Sequence, residues 1–266
     1  MKVEELVSKT VNMLQEAKES FKNPVILWST GKDSTLSLSL CRTVFDGKVP
    51  FPVLYIDTGL QFEQMSEFRD NVAEDWNLDL IVAKSDKAGE VSPSQETSNQ
   101  VCCQTLKIDA VRDAIQKHGF DAAIISICRD KQPIMNKERM WERKKKLGKA
   151  SDRLQVDPVF NLQTDFGAGS SCTRINPILH WDEIAIWEYT KKMEIPVNPL
   201  YFAKDGVRYR SLGCQPCASP IKSSAKNIAE IVEELKAAKG PEEPGRTQEA
   251  KDKEEIMQKL KDMGYM

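Results

Sequence analysis

The stretch Val25-Ile-Leu-Trp-Ser-Thr-Gly-Lys-Asp-Ser34 changes character halfway along. An apolar run, opened by Asn23-Pro24, breaks into small polar residues with one glycine, one lysine and one aspartate. A short apolar run bounded in this way suits a buried strand. The following TLSLSLCRTVF carries apolar residues that suit a helix or an alternating strand, and serine and aspartate near Ser34 are helix-capping types, so the reading is strand, tight turn, helix. At such a turn the free backbone N–H groups and the positive end of the helix dipole face outward, and Gly31 lets the chain come close to a ligand. That chemistry suits a phosphate. The P-loop pattern is excluded, because the second glycine that it requires is missing.

Outward from this turn the pattern repeats. PFPVLYIDTG is a second buried strand ending in Asp57-Thr58-Gly59, followed by the helix-like LQFEQMSEFRDNVAEDW. DLIVAKS reads as a third strand, TLKIDAVRDAIQKHG as a helix closed by Gly119, and FDAAIISICRD as a fourth strand ending in Arg129-Asp130. Alternating strands and helices predict an α/β fold, a doubly wound parallel sheet with its ligand crevice outside the carboxyl ends of the strands. Ser29 to Ser34, Asp57 to Gly59 and Arg129-Asp130 then meet at one rim. The second half reads as a helix in LHWDEIAIWEYTKKMEI, a loop rich in proline and glycine, a second amphipathic helix in SAKNIAEIVEELKAAKG and a charged tail after Gly240. The expected organisation is a nucleotide-binding α/β domain over 1–195 and a C-terminal helical and loop extension over 196–266.

A chain of 266 residues, 40% hydrophobic, can bury the core of such a domain. No apolar run approaches the roughly 20 residues needed to span a bilayer, and the opening MKVEELVSKTVNMLQEAKESF reads as an amphipathic helix rather than a signal peptide, so a cytoplasmic location is expected. A formal net charge of -2 argues against a general nucleic-acid binder. Seven cysteines in this setting point to reduced thiols, metal ligation or redox chemistry.

The STGKDS turn resembles the pyrophosphate-binding motif of the adenine-nucleotide α-hydrolase superfamily. Within it the chain is most similar to the phosphoadenylylsulfate reductase family, and there to the small subunit of bacterial sulfate adenylyltransferase. NPVILWSTGKDSTLSLSL, PFPVLYIDTGLQFEQMSEFRD, GFDAAIISICRD with KERM, IPVNPLYFA, RYRSLGC and SAKNIAEIVEEL with the closing GR and GYM carry the resemblance over nearly the whole chain. It implies an adenylyltransferase making adenylyl sulfate from ATP and sulfate. Cleaving ATP between its α and β phosphates develops charge on the leaving pyrophosphate, for which Ser29, Thr30, Gly31, Lys32, Asp33 and Ser34 form a sensible clamp. The resemblance further implies that Asp33 holds Mg²⁺ or orients the turn, that Asp57 contacts ribose or metal beside Thr58 and Gly59, and that Arg129 and Arg139 neutralise sulfate or phosphate. Plainer roles remain open: Asp33 as a helix cap, Asp57 as a turn former, Arg139 as a surface cation.

The cysteines point elsewhere. Cys102-Cys103, standing before a helix, and the C-x-x-C of Cys214 and Cys217 form two distant pairs of soft ligands, which suit zinc or an iron–sulfur cluster. The pattern resembles the [4Fe–4S] site of adenylyl-sulfate reductases, which implies a cluster on these four cysteines with Lys107 near it and the substrate. Those reductases use a nucleophilic cysteine in a C-terminal Glu-Cys-Gly-Leu-His motif, and this sequence closes on KDMGYM. Of the remaining thiols, Cys41 reads as a core residue, while Cys172, in the open polar loop GAGSSCTR, is the one whose setting suits a low-pKa thiolate. Three activities therefore compete: adenylyltransferase, sulfonucleotide reductase releasing sulfite, and ATP-dependent sulfurtransferase. The expected partners are an adenine nucleotide with sulfate or another sulfur species, and a GTPase large subunit, thioredoxin or ferredoxin. A homo-oligomer is expected, and membrane association is not.

Overall fold

The computed structural model describes residues 2–91, 99–128, 164–165 and 171–237. Helix α1 (Val3–Ser20) precedes three strands joined by two helices: β1 (Pro24–Leu27), α2 (Lys32–Val44), β2 (Val53–Asp57), α3 (Glu63–Asp75) and β3 (Leu80–Lys84). A helical arm follows, from α4 (Asn99–Cys103) through a π-helical turn (Gln104–Ile108) into α5 (Asp109–His118), then β4 (Ala122–Ile124), β5 (Thr164–Asp165) and β6 (Ser171–Ile175). The C-terminal part comprises α6 (Glu183–Lys192), a 3-10 turn (Pro199–Tyr201), the small ribbon β7 (Val207–Arg208) and β8 (Ile221–Lys222), and α7 (Ile228–Ala237).

The strands order as β3-β2-β1-β4-β6-β5. The first five run parallel, and β5 lies antiparallel against β6 at the edge. Chain order reverses between β1 and β4, and that reversal opens a crevice at the carboxyl ends of the strands. Residues of β1 alternate between the two faces. Ile26 and Val53 join Leu14, Leu36, Leu40 and Trp181 on one side, and Val25 and Leu54 join Val111, Ile115, Phe120 and Cys172 on the other. Both faces are covered, as near-continuous apolar strands require.

The sequence placed β1, β2 and β3 and the closure of α5, where Gly119 takes the left-handed conformation at φ 65°. Two expectations needed correction. The GAGSSCTR stretch was expected to be an open polar loop, yet Ser171–Ile175 is a strand of the main sheet, whose Cys172 and Ile175 are fully buried. Its short run, rich in serine and threonine, carries no long apolar signal, and pairing with β4 decides its conformation. The Cys102-Cys103 pair lies within α4 instead of in front of a helix. Arg129, Arg139 and the tail after Gly240 lie outside the described residues.

Helix α6 belongs to two cores. Ile186 and Tyr189 pack into the main one, and Trp187 joins Tyr201, Ala225, Ile231 and Val232 in a smaller one. The small core thus begins before residue 196. Among the described residues, no helix is long and apolar enough to cross a membrane.

The entry to β1 is fixed by a single carboxylate. Asp121, just before β4, accepts the Lys22 N–H at 2.8 Å and the Asn23 N–H at 3.0 Å. Asp121→Ala is expected to cost about 1–3 kcal/mol, the scale of backbone donors losing a charged acceptor. The urea midpoint checks this.

Candidate functional site

The first turn is tied together by its own hydroxyls. Ser34 Oγ donates to the Gly31 carbonyl at 3.1 Å and accepts the Ser29 N–H at 3.2 Å, and Thr30 Oγ1 donates to the Ser29 carbonyl at 2.6 Å. Thr30 sits at φ 61°, a conformation unusual for a β-branched residue and costing on the order of 1–3 kcal/mol. A Cβ on Gly31 would meet Ser29 Oγ at 3.3 Å and the Tyr201 hydroxyl oxygen at 3.5 Å. The start of α2 lies behind this turn.

The Lys32 side chain points the other way. Its ammonium lies 3.4 Å from Glu183 Oε1 and 3.9 Å from Asp33 Oδ1, and donates to the Arg210 carbonyl at 3.2 Å. Trp187 and Tyr201 present their rings to it, with centroids at 6.0 and 5.6 Å. Arg210 closes the group, its Nη2 and Nε donating to Glu183 Oε2 at 2.7 and 3.1 Å. The expected phosphate clamp by the Lys32 ammonium therefore meets a different geometry. As the first residue of α2, Lys32 sends its side chain under the turn to the acidic start of α6.

The second turn is built on Asp57, whose Oδ1 accepts the Gly59 N–H at 2.8 Å while Gly59 adopts φ 71°. Thr58 faces the cysteine loop, its Oγ1 lying 3.4 Å from Cys214 Sγ. The Gln215 N–H donates to the Leu60 carbonyl at 2.7 Å, so turn and loop are joined by backbone as well. A cavity of about 350 Å³ opens between the two turns. Leu27, Leu54, Ile56 and Ile125 give it apolar walls, and Ser29, Ser34, Thr58, Ser126, Lys107 and Cys214 give it polar ones. That size and mixture suit a nucleoside-sized ligand. The structure thus brings together Ser29, Ser34 and Thr58 as expected for one rim, with Lys107 and Cys214 beside them.

All seven cysteines are thiols outside any disulfide. Burial pushes the Cys102 thiol up to about 11, reinforced by the neighbouring Cys103, Cys214 and Cys217 and opposed by Lys107. Both cysteine pairs therefore act on one another electrostatically. Among the described residues, no three histidine, cysteine or acidic side chains converge tightly enough to hold a single metal ion. Cys172 does not have the setting expected of a reactive thiol: burial, with Asp121 nearby, pushes it up to about 12. Cys41 is fully buried, as a core residue should be.

Glu183, Tyr201 and Arg210 were not legible as site residues. In WDEIAIW the glutamate reads as a solvated helix charge, and RYR reads as loop cations; the contacts that matter span long sequence separations.

Two outcomes are expected. Glu183→Ala removes the carboxylate between two largely buried cations and should cost about 3–5 kcal/mol in chemical denaturation; a loss below about 1 kcal/mol would mean the network is not a buried ionic one. In protein stripped of metal by a chelator, iodoacetamide at pH 8 should modify the partly exposed Cys103 and Cys217 well before the buried Cys172, since a thiol with a raised pKa stays protonated there, as peptide mass mapping would reveal.

Comparison with known proteins adds a lineage to this geometry. A family model for the phosphoadenosine phosphosulfate reductase domain matches residues 23–220. Sulfate adenylyltransferase subunit 2 of Psychromonas ingrahamii is 32% identical, the match covering 98% of this chain and 96% of that protein. Among solved structures, phosphoadenylyl-sulfate reductase from Candida auris in its phosphate complex superposes with a TM-score of 0.57 at 18% identity, covering 80% of this chain and 94% of that one. The U34-tRNA thiolase of Methanococcus maripaludis with its [4Fe–4S] cluster superposes at 0.51 and 14% identity, covering 99% and 80%. These two share the fold.

Proposed function

Because the chain belongs to the phosphoadenosine phosphosulfate reductase domain family, we propose that it is a cytoplasmic enzyme of sulfur assimilation acting at the α-phosphate of an adenine nucleotide. In this reading it joins sulfate to the adenylyl group of ATP and releases pyrophosphate. The observation that carries the proposal is the likeness to sulfate adenylyltransferase subunit 2 along nearly the whole length of both chains. A sulfate oxygen attacks the α-phosphorus, a P–O–S linkage forms, and the bond to the bridging oxygen breaks with its electron pair leaving on pyrophosphate. The leaving group needs donors where its charge appears.

The turn from Ser29 to Ser34, at the start of α2, supplies them. Leu27, Leu54, Ile56 and Ile125 offer apolar walls for the base. Asp33 is the proposed holder of the Mg²⁺ that travels with ATP, and Asp57, Thr58 and Gly59 are proposed to face the nucleotide from the second turn. Lys32 serves by anchoring: its side chain fixes the turn to Glu183 and the cysteine loop. Arg129 and Arg139 are proposed to receive the sulfate. The numbering of the relative as subunit 2 supports a larger partner subunit, for which a GTPase is the proposed identity.

The donor set of Cys102, Cys103, Cys214 and Cys217, four free thiols in two pairs, suits a [4Fe–4S] cluster, because adjacent cysteines reach different irons of a wide cluster more easily than they reach one small zinc ion. Such a cluster would supply redox-active iron and sulfide beside the nucleotide. The same cysteines favour a second reading, reduction of adenylyl sulfate or phosphoadenylyl sulfate to sulfite at the expense of two thiols, with thioredoxin as reductant. ATP-dependent sulfur transfer, with ferredoxin supplying electrons, is the third.

Anaerobically purified protein is expected to convert ATP and sulfate to pyrophosphate and adenylyl sulfate. Sulfite from adenylyl sulfate and dithiothreitol, with no pyrophosphate from the first mixture, would replace the adenylyltransferase with the reductase. The protein should be brown, hold about four irons per chain and lose its colour in Cys217→Ser; colourless protein with one zinc would reject the cluster.

A further inference from the structure

The segment Pro199–Tyr201 is a 3-10 turn capped by Asn198, whose side chain accepts the Leu200 N–H at 3.1 Å and donates to the Gln64 carbonyl at 3.3 Å. It delivers Tyr201 beneath the first turn. The phenol ring stands edge-on to Trp187, centroids 5.2 Å apart, and is 2% exposed. Its hydroxyl accepts the Lys32 N–H at 3.0 Å.

That amide belongs to the first turn of α2. The N–H groups there have no acceptor within the helix and point to where an anion binds. The tyrosine oxygen thus accepts one of these helix-start N–H groups, and accepting the amide leaves its own proton to give. Among the described residues that proton has no hydrogen-bond acceptor. Burial pushes the phenol up to about 12, with the nearby Lys32 ammonium opposing, so the proton stays on at neutral pH. The hydroxyl lies 3.5 Å from the point where a Gly31 Cβ would stand, and Ser29 Oγ lies 3.3 Å from the same point. The two hydroxyls therefore flank the backbone of Gly31, and Ser29 also lines the cavity.

We propose that the Tyr201 hydroxyl is a further binding donor of the first turn, relaying the positive end of α2 to a phosphate oxygen of the ligand; this rests on the reading of that turn as a nucleotide-phosphate site. A hydroxyl that accepts a helix-end N–H is polarised by it and donates more strongly in turn. The relay adds one side chain to the cradle from beneath the turn, without adding charge. Gly31 has no side chain to stand between the two hydroxyls.

Calorimetry on the full chain with ATP, pyrophosphate and adenosine tests the assignment. Tyr201→Phe keeps the ring and removes only the hydroxyl. ATP and pyrophosphate should bind at least about tenfold more weakly, the scale of one hydrogen bond to a charged acceptor, and adenosine within about twofold of the unaltered chain. Unchanged ATP affinity would overturn the proposal, and so would tighter pyrophosphate binding, which would make the hydroxyl a plug. Parallel loss of adenosine and ATP, through misfolding or otherwise, would make Tyr201 scaffold only. If the unaltered chain bound adenosine as tightly as ATP, or bound no nucleotide, the reading of the turn would fall first and the relay with it.

Discussion

One carboxylate decides how the two halves of this molecule meet. Glu183 stands at the start of α6 and takes Arg210 on one oxygen and Lys32 on the other. Lys32 begins the helix behind the first turn, and Arg210 lies four residues before Cys214. The side chains are largely withdrawn from water, where a charge left alone is far more costly than an exposed one. An arrangement that displaced any of the three would strand the others. The sheet fixes the first turn through apolar burial, which is tolerant of small shifts, and the ionic cluster fixes the cysteine loop relative to it through directional bonds, which are not.

The loop is anchored twice more. Arg208 is bound to Glu234 and Ser223 at one end, and Cys214 and Gln215 meet Thr58 and Leu60 at the other. Each anchor belongs to a different element: α7, the α6–α2 junction and the turn after β2. A loop rich in glycine and proline has much conformational entropy to lose, and three polar anchors oppose that loss alongside the small core that holds Tyr201, Leu212 and Ala225. The first turn follows similar logic on a smaller scale. Thr30 is held in a conformation that a β-branched residue avoids, by hydroxyl bonds within the turn and by the sheet and helix on either side. Strain retained in this way keeps the backbone N–H groups set before a ligand arrives.

These constraints explain which features could be read from residues alone. The strand, turn and helix around Ser29 to Ser34 follow from local pattern, because a buried parallel strand is a short apolar run and small residues mark its end. The meeting of Ser29, Ser34 and Thr58 at one cavity follows from topology, since parallel strands present their carboxyl ends together. The direction of the Lys32 side chain does not follow, because it depends on a glutamate about 150 residues away, whose helical sequence looks the same whether that face is wet or buried. Cys172 shows the same limit from the other side. Its polar neighbours suggest a loop, and only pairing of β6 with β4 reveals a core position. In both cases a long-range contact overrode what the local composition suggests.

The arrangement also bears on how closely the competing activities are related. Adenylyl transfer, sulfonucleotide reduction and sulfur transfer all require an adenine nucleotide with its α-phosphate at the rim, and they differ in what approaches that phosphate. On the proposed placement of the nucleotide that approach is bounded by Thr58, Lys107 and Cys214, which line the same cavity as the Ser29 and Ser34 hydroxyls. Thr58 touches Cys214, and Lys107 lies close enough to oppose the rise in the Cys102 pKa. A cation beside the thiols favours their deprotonated, metal-binding form and would equally attract an oxyanion. On the proposed reading one lysine would serve both an anionic sulfur substrate and a thiolate-bound metal. A change of activity on this frame therefore requires a change in the group beyond the α-phosphate, while the turn, the sheet and the Glu183 cluster stay as they are.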